Sequence, residues 1–474
     1  MIKKLLTLLC MQLALCCTSF AANYLTFIAE EDNSSFSIED HDIKSNIFYS
    51  LNNGKTWKQL TGQPVSLAKG KRALLKGGKP NGTPAWENYS NFKMEGAIAA
   101  SGSVMSLVDG NGEGKTIPYN YCFCKLFDDC SSLTKAPELP ATTLAEGCYR
   151  EMFEGCTSLT QAPELPATVL EYGCYQSMFI GCTSLTQAPE LAATTLANYC
   201  YWEMFSYCTS LTQAPKLPAT VLEIGCYQSM FRGCTSLKQA PQLPANTLVG
   251  GCYREMFEGC TSLTQAPELP ATTLARKCYW EMFSGCTSLT KASKLPATTL
   301  AEECYMEMFS ACSSLTQAPK LPATTLADHC YNRMFSGCTS LTQAPELPAT
   351  TLAEGCYQKM FNKCTSLTQA PELPAKTLAK RCYNGMFYEC ENLKKAPELP
   401  ATTLTKGCYE GMFSGCEILS RIKIAFTEWG TGTDNWLTGV AENGTFICPK
   451  KLPTVYGENF IPEGWKIVNE DTSK

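Results

Sequence analysis

The sequence is dominated by a repeat with a period of 26 residues. The dipeptide Cys-Tyr recurs at this spacing from Cys148 to Cys408, and a divergent first copy begins at Cys122. This gives 12 units, the last of them incomplete. One unit is too short to bury a core of its own, whereas stacked units share one continuous core. The repeat therefore predicts a solenoid.

Each unit is expected to contain one helix. In the unit that reads CYREMFEGC, the positions of Tyr149, Met152, Phe153 and Cys156 are apolar and hardly change between units. At about 100° of rotation per residue they share one arc of a helical wheel, and the variable positions share the other. Gly fills the position of Gly155 in seven of 12 units, which suits a left-handed residue that ends the helix.

The rest of the unit is predicted to be short and extended. Leu159 and Leu165 are expected to face the core, and Gln161 to face solvent. Pro163 has no N–H to donate to a sheet, so the paired segment must be very short. One strand and one helix per unit follow the leucine-rich-repeat plan. The predicted fold class is therefore an α/β solenoid of 12 units of 26 residues.

The repeated string is similar to that of a known family. M-F-x-G-C-T-S-L-T, as in Met152 to Thr160, resembles the BspA-type leucine-rich-repeat surface proteins of Bacteroides-like bacteria. The match recurs in register over about 300 residues, from Cys122 to roughly Leu419. The resemblance implies an exported solenoid linked to adhesion or host contact, and it supplies no catalytic residues. The chain departs from the family pattern in its Pro-interrupted strand and in the Cys at the Cys148 position.

The segments before and after the array divide the chain further. Residues 1–21 are predicted to be a signal peptide, with Lys3 and Lys4 before a short apolar run and cleavage after Ala21. A lipoprotein signal with Cys16 or Cys17 as the lipidated residue is the alternative. The remaining predicted domains are an N-terminal β-rich, sandwich-like domain at 22–118, the solenoid at 119–419 and a small strand-rich cap at 420–474. The protein is therefore expected to be secreted or on the cell surface.

The N-terminal region contains one motif-like stretch. Ser50 to Trp57 reads SLNNGKTW and is similar to the Asp-box of sialidase propellers, with Asn52 in place of Asp. A single copy is weak evidence of function, because that motif stabilises a hairpin. A turn with a packed Trp57 is the favoured interpretation.

Composition argues against most catalytic functions. With only two histidines, most acid–base and nucleophilic enzymes are improbable, so we expect no enzyme, no catalytic residues and no cofactor. A net charge of −5 argues against nucleic acid as the main partner. No apolar run after the signal is long enough for a transmembrane helix. Most of the 29 cysteines fall in two repeat columns, for which buried free thiols are favoured over disulfides or a metal site.

These observations favour a binding protein over an enzyme. The leading hypothesis is an exported adhesion protein, expected to be a monomer, that presents an extended face to an extracellular protein or glycan. The alternative is a carbohydrate-binding N-terminal module on a solenoid stalk. Large side chains at variable positions predict a binding surface on the helix side, formed by Trp202, Tyr207, Trp280 and Met306, with Ile180 nearby. The competing strand-side surface is a uniform column that includes Gln187, Gln213 and Gln239.

Overall fold

A computed structural model describes residues 22–470. The predicted signal peptide and its lipoprotein alternative, both within residues 1–21, lie outside the described residues. Inside the array, each unit forms one coil of a solenoid, and the coils are numbered here from the one that begins at Cys122. Backbone hydrogen bonds join each coil to the next at intervals of 25 residues, as between the N–H of Tyr149 and the carbonyl of Cys174 (3.0 Å).

The predicted helix in each unit is wrong, and with it the α/β class. The segment around Cys148 to Cys156 is a series of tight turns, in which N–H groups alternate between two kinds of partner. The N–H of Met152 bonds back three residues to Tyr149 (3.3 Å), whereas the N–H of Phe153 bonds forward to Met178 in the next coil (2.9 Å). Every fourth residue has a left-handed conformation, with φ of 57° at Gly147, 56° at Glu151 and 67° at Gly155.

The helix prediction failed because two periods coincide over nine residues. Apolar positions at i, i+1, i+4, i+5 and i+8 fit a helix of 3.6 residues per turn and equally fit a turn that repeats every four residues. The predicted left-handed conformation at Gly155 is confirmed. Its helix-ending role is wrong, because Glu151 has the same conformation in the middle of the segment. The only helix of the described residues is the four-residue α1, Ser106–Asp109.

The repeated apolar side chains fill the core as continuous columns. Rings of Tyr149 and its equivalents stack nearly parallel, with 5.7–6.0 Å between centroids from Tyr149 to Tyr409. Phe153 and its equivalents form a second stack with spacings of 5.5–5.8 Å. Leu159 and Leu165 are buried as predicted. Each coil therefore completes the apolar surface of its neighbours.

The cysteine columns are buried free thiols. All 26 cysteines of the described residues are free, and all except Cys122 are buried. In the column of Cys156, each thiol contacts a main-chain carbonyl of the preceding coil, as Cys182 Sγ does with the oxygen of Phe153 at 3.1 Å. Burial raises the pKa of the Cys182 thiol to about 12, which disfavours the reactive thiolate.

The extended part of each coil pairs very little, as Pro163 predicts. Most contacts there are isolated parallel bridges, such as Gln161 with Gln187 and Thr299 with Thr325. Longer pairing occurs only near the ends of the array, where β9 is Leu133–Lys135 and β10 is Glu398–Leu399. The array is thus held by the turn segments and the apolar columns more than by a sheet.

Two sheets make up the N-terminal region. The strands are β1 Leu25–Ala29, β2 Ser34–His41, β3 Ile47–Ser50, β4 Lys58–Gln59, β5 Val65–Leu67, β6 Arg72–Gly77, β7 Tyr89–Glu95 and β8 Ile98–Ser101. One sheet has the order β4-β3-β6-β1-β8-β9 and the other β5-β2-β7. Phe27 of the first sheet packs edge to face on Phe36 and Phe92 of the second, with centroids 5.2 and 5.0 Å apart. We interpret this packing as a two-sheet sandwich.

This region and the first coil share one core. Strand β9 lies after the predicted boundary at residue 118, yet it pairs in parallel with β8 of the N-terminal sheet. The Cys130 thiol contacts the carbonyl of Phe92 at 3.1 Å, and the ring of Phe127 packs on the same phenylalanine. The N-terminal sheet therefore covers the open apolar end of the first coil.

The C-terminal segment covers the other end. Strands β11 Arg421–Ile424, β12 Thr445–Pro449 and β13 Lys466–Glu470 extend β10 as a parallel sheet. Trp436 is fully buried and packs on Tyr409, the last ring of its column, with centroids 6.5 Å apart. Its indole N–H donates to the carbonyl of Phe460 (2.9 Å). Residues of the C-terminal segment thus pack directly on the end of the tyrosine column.

The turn geometry makes a prediction at Ala311, which is exposed and has φ of 56°. A left-handed conformation costs an L-residue about 1–2 kcal/mol, and glycine avoids this cost while losing part of the gain to chain entropy. We expect Ala311→Gly to raise the free energy of unfolding by about 0.5–1 kcal/mol. The equivalent Gly337, with φ of 74°, offers the reverse control, Gly337→Ala. Denaturant unfolding measures both, and a loss of stability in Ala311→Gly would indicate a helix instead.

The thiol columns make a second prediction. In the native protein, alkylating reagents should leave the buried cysteines largely unmodified, because their thiols are both inaccessible and protonated. Partly exposed Cys122 serves as an internal comparison. Mass spectrometry before and after denaturation counts the labelled residues. If protein exported by the producing cells gave predominantly disulfide-linked peptides, the prediction that the columns are free thiols would be wrong.

Candidate binding surfaces of the solenoid

The solenoid offers two long surfaces of different character. The turn wall is formed by the variable side chains of residues 145–155 and their equivalents, which replace the predicted helix side. The glutamine wall is formed by Gln161 and its equivalents on the extended side. Both walls repeat with every coil, so a local change in side chains is what can distinguish one stretch from another.

The glutamine wall is uniform and open to solvent. The predicted residues Gln187, Gln213 and Gln239 are all exposed. Shallow grooves run between neighbouring Pro-containing segments, one of them beside Gln161 and another beside Gln369. Amide side chains along such grooves can form hydrogen bonds with a partner, but no aromatic anchor accompanies these three residues.

Trp280 on the turn wall is already covered by positive charge from the chain itself. The guanidinium of Arg254, at the same position one coil earlier, lies 4.2 Å from its ring centroid. The ammonium of Lys277 lies at the same distance. Both cations are held by carboxylates, Arg254 by Glu255 at 2.7 Å and Lys277 by Glu303 at 3.4 Å. Trp280 is thus an internal cation–π site.

Trp202 occupies the equivalent position three coils earlier and has different neighbours. Gln176 replaces Arg254 and Tyr199 replaces Lys277. The ring of Tyr199 lies 5.6 Å from that of Trp202, with an angle of 53° between their planes. Tyr172 of the preceding coil packs edge to face on Tyr199 at 5.8 Å. Trp202 therefore belongs to a group of three aromatic rings and not to a cation pair.

The other predicted residues of this surface differ in exposure. Tyr207 is exposed, and its ring lies over Gly233, where an added Cβ would come within 2.5 Å of the ring. Met306 and Ile180 are only partly exposed. The structure thus joins Trp202 to other aromatic side chains and separates Trp280 from them by the three coil steps between the residues.

Sequence reasoning missed several exposed apolar residues. Five large ones lie in or just before the three consecutive turn segments 171–181, 197–207 and 223–233: Val169 (54% exposed), Tyr172 (45%), Tyr207 (50%), Val221 (71%) and Ile224 (47%). In the remainder of the array only Tyr388 and Ile418 are comparable. We call the five residues the apolar patch. The available signal was the pair VLEYG and VLEIG, in which Tyr172 and Ile224 occupy a position that is polar or glycine in other coils.

A column of carboxylates runs along the turn wall at the position of Glu151. Ser229 donates to Glu255 of the next coil (3.1 Å), and Arg232 and Arg254 also contact this glutamate. Glu281 follows directly, and no cation forms a salt bridge with it among the described residues. Burial, followed by the charges of Glu307, Glu258 and Glu255, raises the pKa of Glu281 to about 7.

The Asp-box-like turn uses its own polar groups. The amide oxygen of Asn52 accepts hydrogen bonds from the hydroxyl of Ser50 and from the N–H of Thr56, both at 2.9 Å. The ring of Trp57 packs against Tyr24 at 5.2 Å, and the ammonium of Lys76 lies over it at 4.3 Å. These contacts support the structural interpretation of a turn with a packed Trp57.

Two further tests concern the whole described segment. Within residues 22–470, no three His, Cys, Asp or Glu side chains come together in a way that could hold a metal ion. The single helix in that range, α1, lacks the length and apolar character needed to cross a bilayer.

Comparison with known proteins identifies the repeat. The model of the BspA type leucine-rich repeat region matches six copies, at residues 120–238, 194–342 and 302–433. The chain belongs to this family. Its BspA-type array thus coincides with the stack of coils described above, and the resemblance predicted from Met152 to Thr160 is confirmed.

Comparison with individual proteins adds little. A search of curated proteins gave no match. Among solved structures, the chain is similar to one chain in the crystal structure of a TLR13–ssRNA13 complex, at 12% identity and a TM-score of 0.28. The match covers 74% of this BspA-type chain and spans about half (49%) of the other chain.

The unpaired carboxylate makes a pH-dependent prediction. Because the pKa of Glu281 is about 7 in the folded chain against 4.5 ordinarily, the folded state binds the proton more tightly than the unfolded state. This contribution to stability is present below pH 4.5 and is lost as the pH rises through 7. After allowance for partial exposure, Glu281→Gln should be about 1 kcal/mol more stable than wild type at pH 8 and about equal at pH 4.5.

The matched control is Glu255→Gln, which removes the partner of Arg232 and Arg254 and should destabilise the protein at pH 8. Urea unfolding at both pH values measures the three proteins. If the difference between Glu281→Gln and wild type does not change with pH, the raised pKa is wrong.

Proposed function

We propose that this chain is an exported binding and adhesion protein that engages an extracellular protein through the turn wall of coils 3–5. The apolar patch is the observation that carries the proposal. Monomeric proteins seldom expose large apolar side chains in a contiguous group unless the group meets a partner. Five such residues lie in or just before three consecutive turn segments, while the rest of the array has two that are far from them in sequence.

The arrangement also has the composition of an interface. Tyr and Trp contribute large contact areas and are enriched among residues that dominate binding energy. Tyr172 and Tyr207 lie near opposite ends of the turn segments, with Trp202 between them in the order of positions. A rigid stack of coils holds these side chains without the ordering cost that a flexible loop would pay on association.

The family supports the proposal at a coarser level. BspA-type repeat proteins are typically surface or secreted proteins, which agrees with the predicted signal peptide at residues 1–21. Repetition of equivalent coils gives an extended surface on which several contacts can act together. Export, adhesion and the monomeric state remain parts of the proposal.

Full-length protein is the appropriate material for the test, because the N-terminal sheet and the first coil share a core. Binding to mucin-coated and extracellular-matrix-coated surfaces should fall at least tenfold in Tyr172→Ala/Tyr207→Ala/Ile224→Ser, since each truncated anchor commonly contributes 1 kcal/mol or more. The matched control changes the other wall, with Gln187→Ala, Gln213→Ala and Gln239→Ala in one protein. Loss of binding in the glutamine variant with full binding in the patch variant would reject the turn wall as the binding surface.

A further inference from the structure

The two equivalent tryptophans of the turn wall differ in one chemical respect. The chain covers the ring of Trp280 with Arg254 and Lys277, each 4.2 Å from the ring centroid. At Trp202 the same two positions hold Gln176 and Tyr199, neither of which carries a positive charge. The chain therefore contains two equivalent indole rings and places its own cations over only one of them, that of Trp280.

The surroundings of Trp202 favour a cation. The ring of Tyr199 packs on those of Tyr172 and Trp202, with interplanar angles of 72° and 53° respectively. The faces of aromatic rings are electron-rich and attract ammonium and guanidinium groups. We call these three residues the aromatic cluster.

The local charge is complementary to such a ligand. Glu171, Glu203 and Glu223 lie on the turn segments of the same three coils, at 171–181, 197–207 and 223–233. The only Lys or Arg in these segments is Arg232, which is already held by Glu255 and Glu258 of the next coil. A free cation from another molecule would therefore meet acidic residues without competition from the chain.

The backbone around the cluster is adapted to the aromatic side chain. Tyr199 has φ of 57°, and its ring lies over Gly225 of the next coil, where an added Cβ would be 2.5 Å from the ring. At the Trp280 site, the residues equivalent to Tyr199 and Gly225 are Lys277 and Glu303, which form an ion pair at 3.4 Å. The two sites thus differ in three coordinated positions and not by a single substitution.

We propose that the aromatic cluster binds a lysine or arginine side chain on an amphipathic segment of a partner protein. The cation sits against Trp202 as Arg254 and Lys277 sit against Trp280. The apolar residues of the same segment contact the neighbouring Val221 and Ile224, which are exposed. This inference rests on the proposed function and specifies the chemistry of the partner.

The test uses full-length protein and a defined probe, an amphipathic peptide of Lys and Leu, with a Glu-for-Lys peptide as the comparison. Calorimetry measures affinity at physiological salt. We expect the Lys peptide to bind at least tenfold more tightly than the Glu peptide. Trp202→Leu should weaken it by about threefold to 30-fold, the range for losing a cation–π contact. The matched control Trp280→Leu should leave the affinity unchanged, because that ring is already covered.

A second variant changes occupancy without removing the indole. Gln176→Arg with Tyr199→Lys gives the Trp202 site the cations of the Trp280 site, and it should lose affinity for the Lys peptide to a similar extent. The converse variant, Arg254→Gln/Lys277→Tyr/Glu303→Gly, frees the Trp280 ring and should add a second binding event. Circular dichroism and the unfolding midpoint establish that each variant is folded.

The outcomes separate this inference from the proposed function. Equal effects of Trp202→Leu and Trp280→Leu, or equal binding of the two peptides, would overturn the cation site. If the chain still binds mucin or matrix through the apolar patch in that case, the proposed function stands. If the Lys peptide binds with the expected variant pattern but the protein does not bind mucin or matrix, the cation site is retained and these two materials are rejected as partners.

Discussion

The hydrogen bonds that run from each turn segment to the next coil are the interaction on which the whole structure depends. In a helix, an N–H group finds its acceptor within the same segment, so a helix can exist before it packs. Here the N–H groups of Tyr149, Glu151 and Phe153 find acceptors only in the next coil, at 2.9–3.0 Å. A single coil would leave these donors unpaired beside a buried core, which is costly. Stacking is therefore a condition for the fold.

This dependence explains why the side chains of the core hardly vary. The turn segment repeats every four residues only because left-handed residues recur at the positions of Gly147, Glu151 and Gly155. That geometry places Tyr and Phe side chains in line along the stack, so their rings must be alike to stay nearly parallel. Thiols suit the remaining space because a Cys side chain is small and can donate weakly to a carbonyl, as Cys182 does. The variable positions are left to the surface.

The sequence predicted the solenoid, the family and the short pairing around Pro163, because each follows from periodicity or from a missing donor. It did not predict the turn geometry, since nine apolar and polar positions cannot distinguish a period of 3.6 from a period of four. Trp202 and Trp280 could be found as large residues at a variable position. The difference between them could not, because it depends on Arg254, which lies 26 residues from Trp280 and meets it only when coils stack. The apolar patch was missed although the sequence carried a signal for it, because Tyr172 and Ile224 occupy a position that is polar or glycine in other coils.

Stacking also determines how a repeat protein can acquire a specific site. A substitution on one coil is presented beside the same position of its neighbours, so function arises from differences between adjacent coils. Alternation of Ser and Glu from Glu151 to Glu255 shows one use of this rule, because Ser229 separates two carboxylates and donates to Glu255. The contrast between the ring of Trp280, which lies under two cations, and that of Trp202, which packs on Tyr199, is a second use. A binding surface on this scaffold is therefore recognised where adjacent coils differ. On the turn segments 171–181, 197–207 and 223–233, aromatic and aliphatic side chains take the place of the cations that cover Trp280.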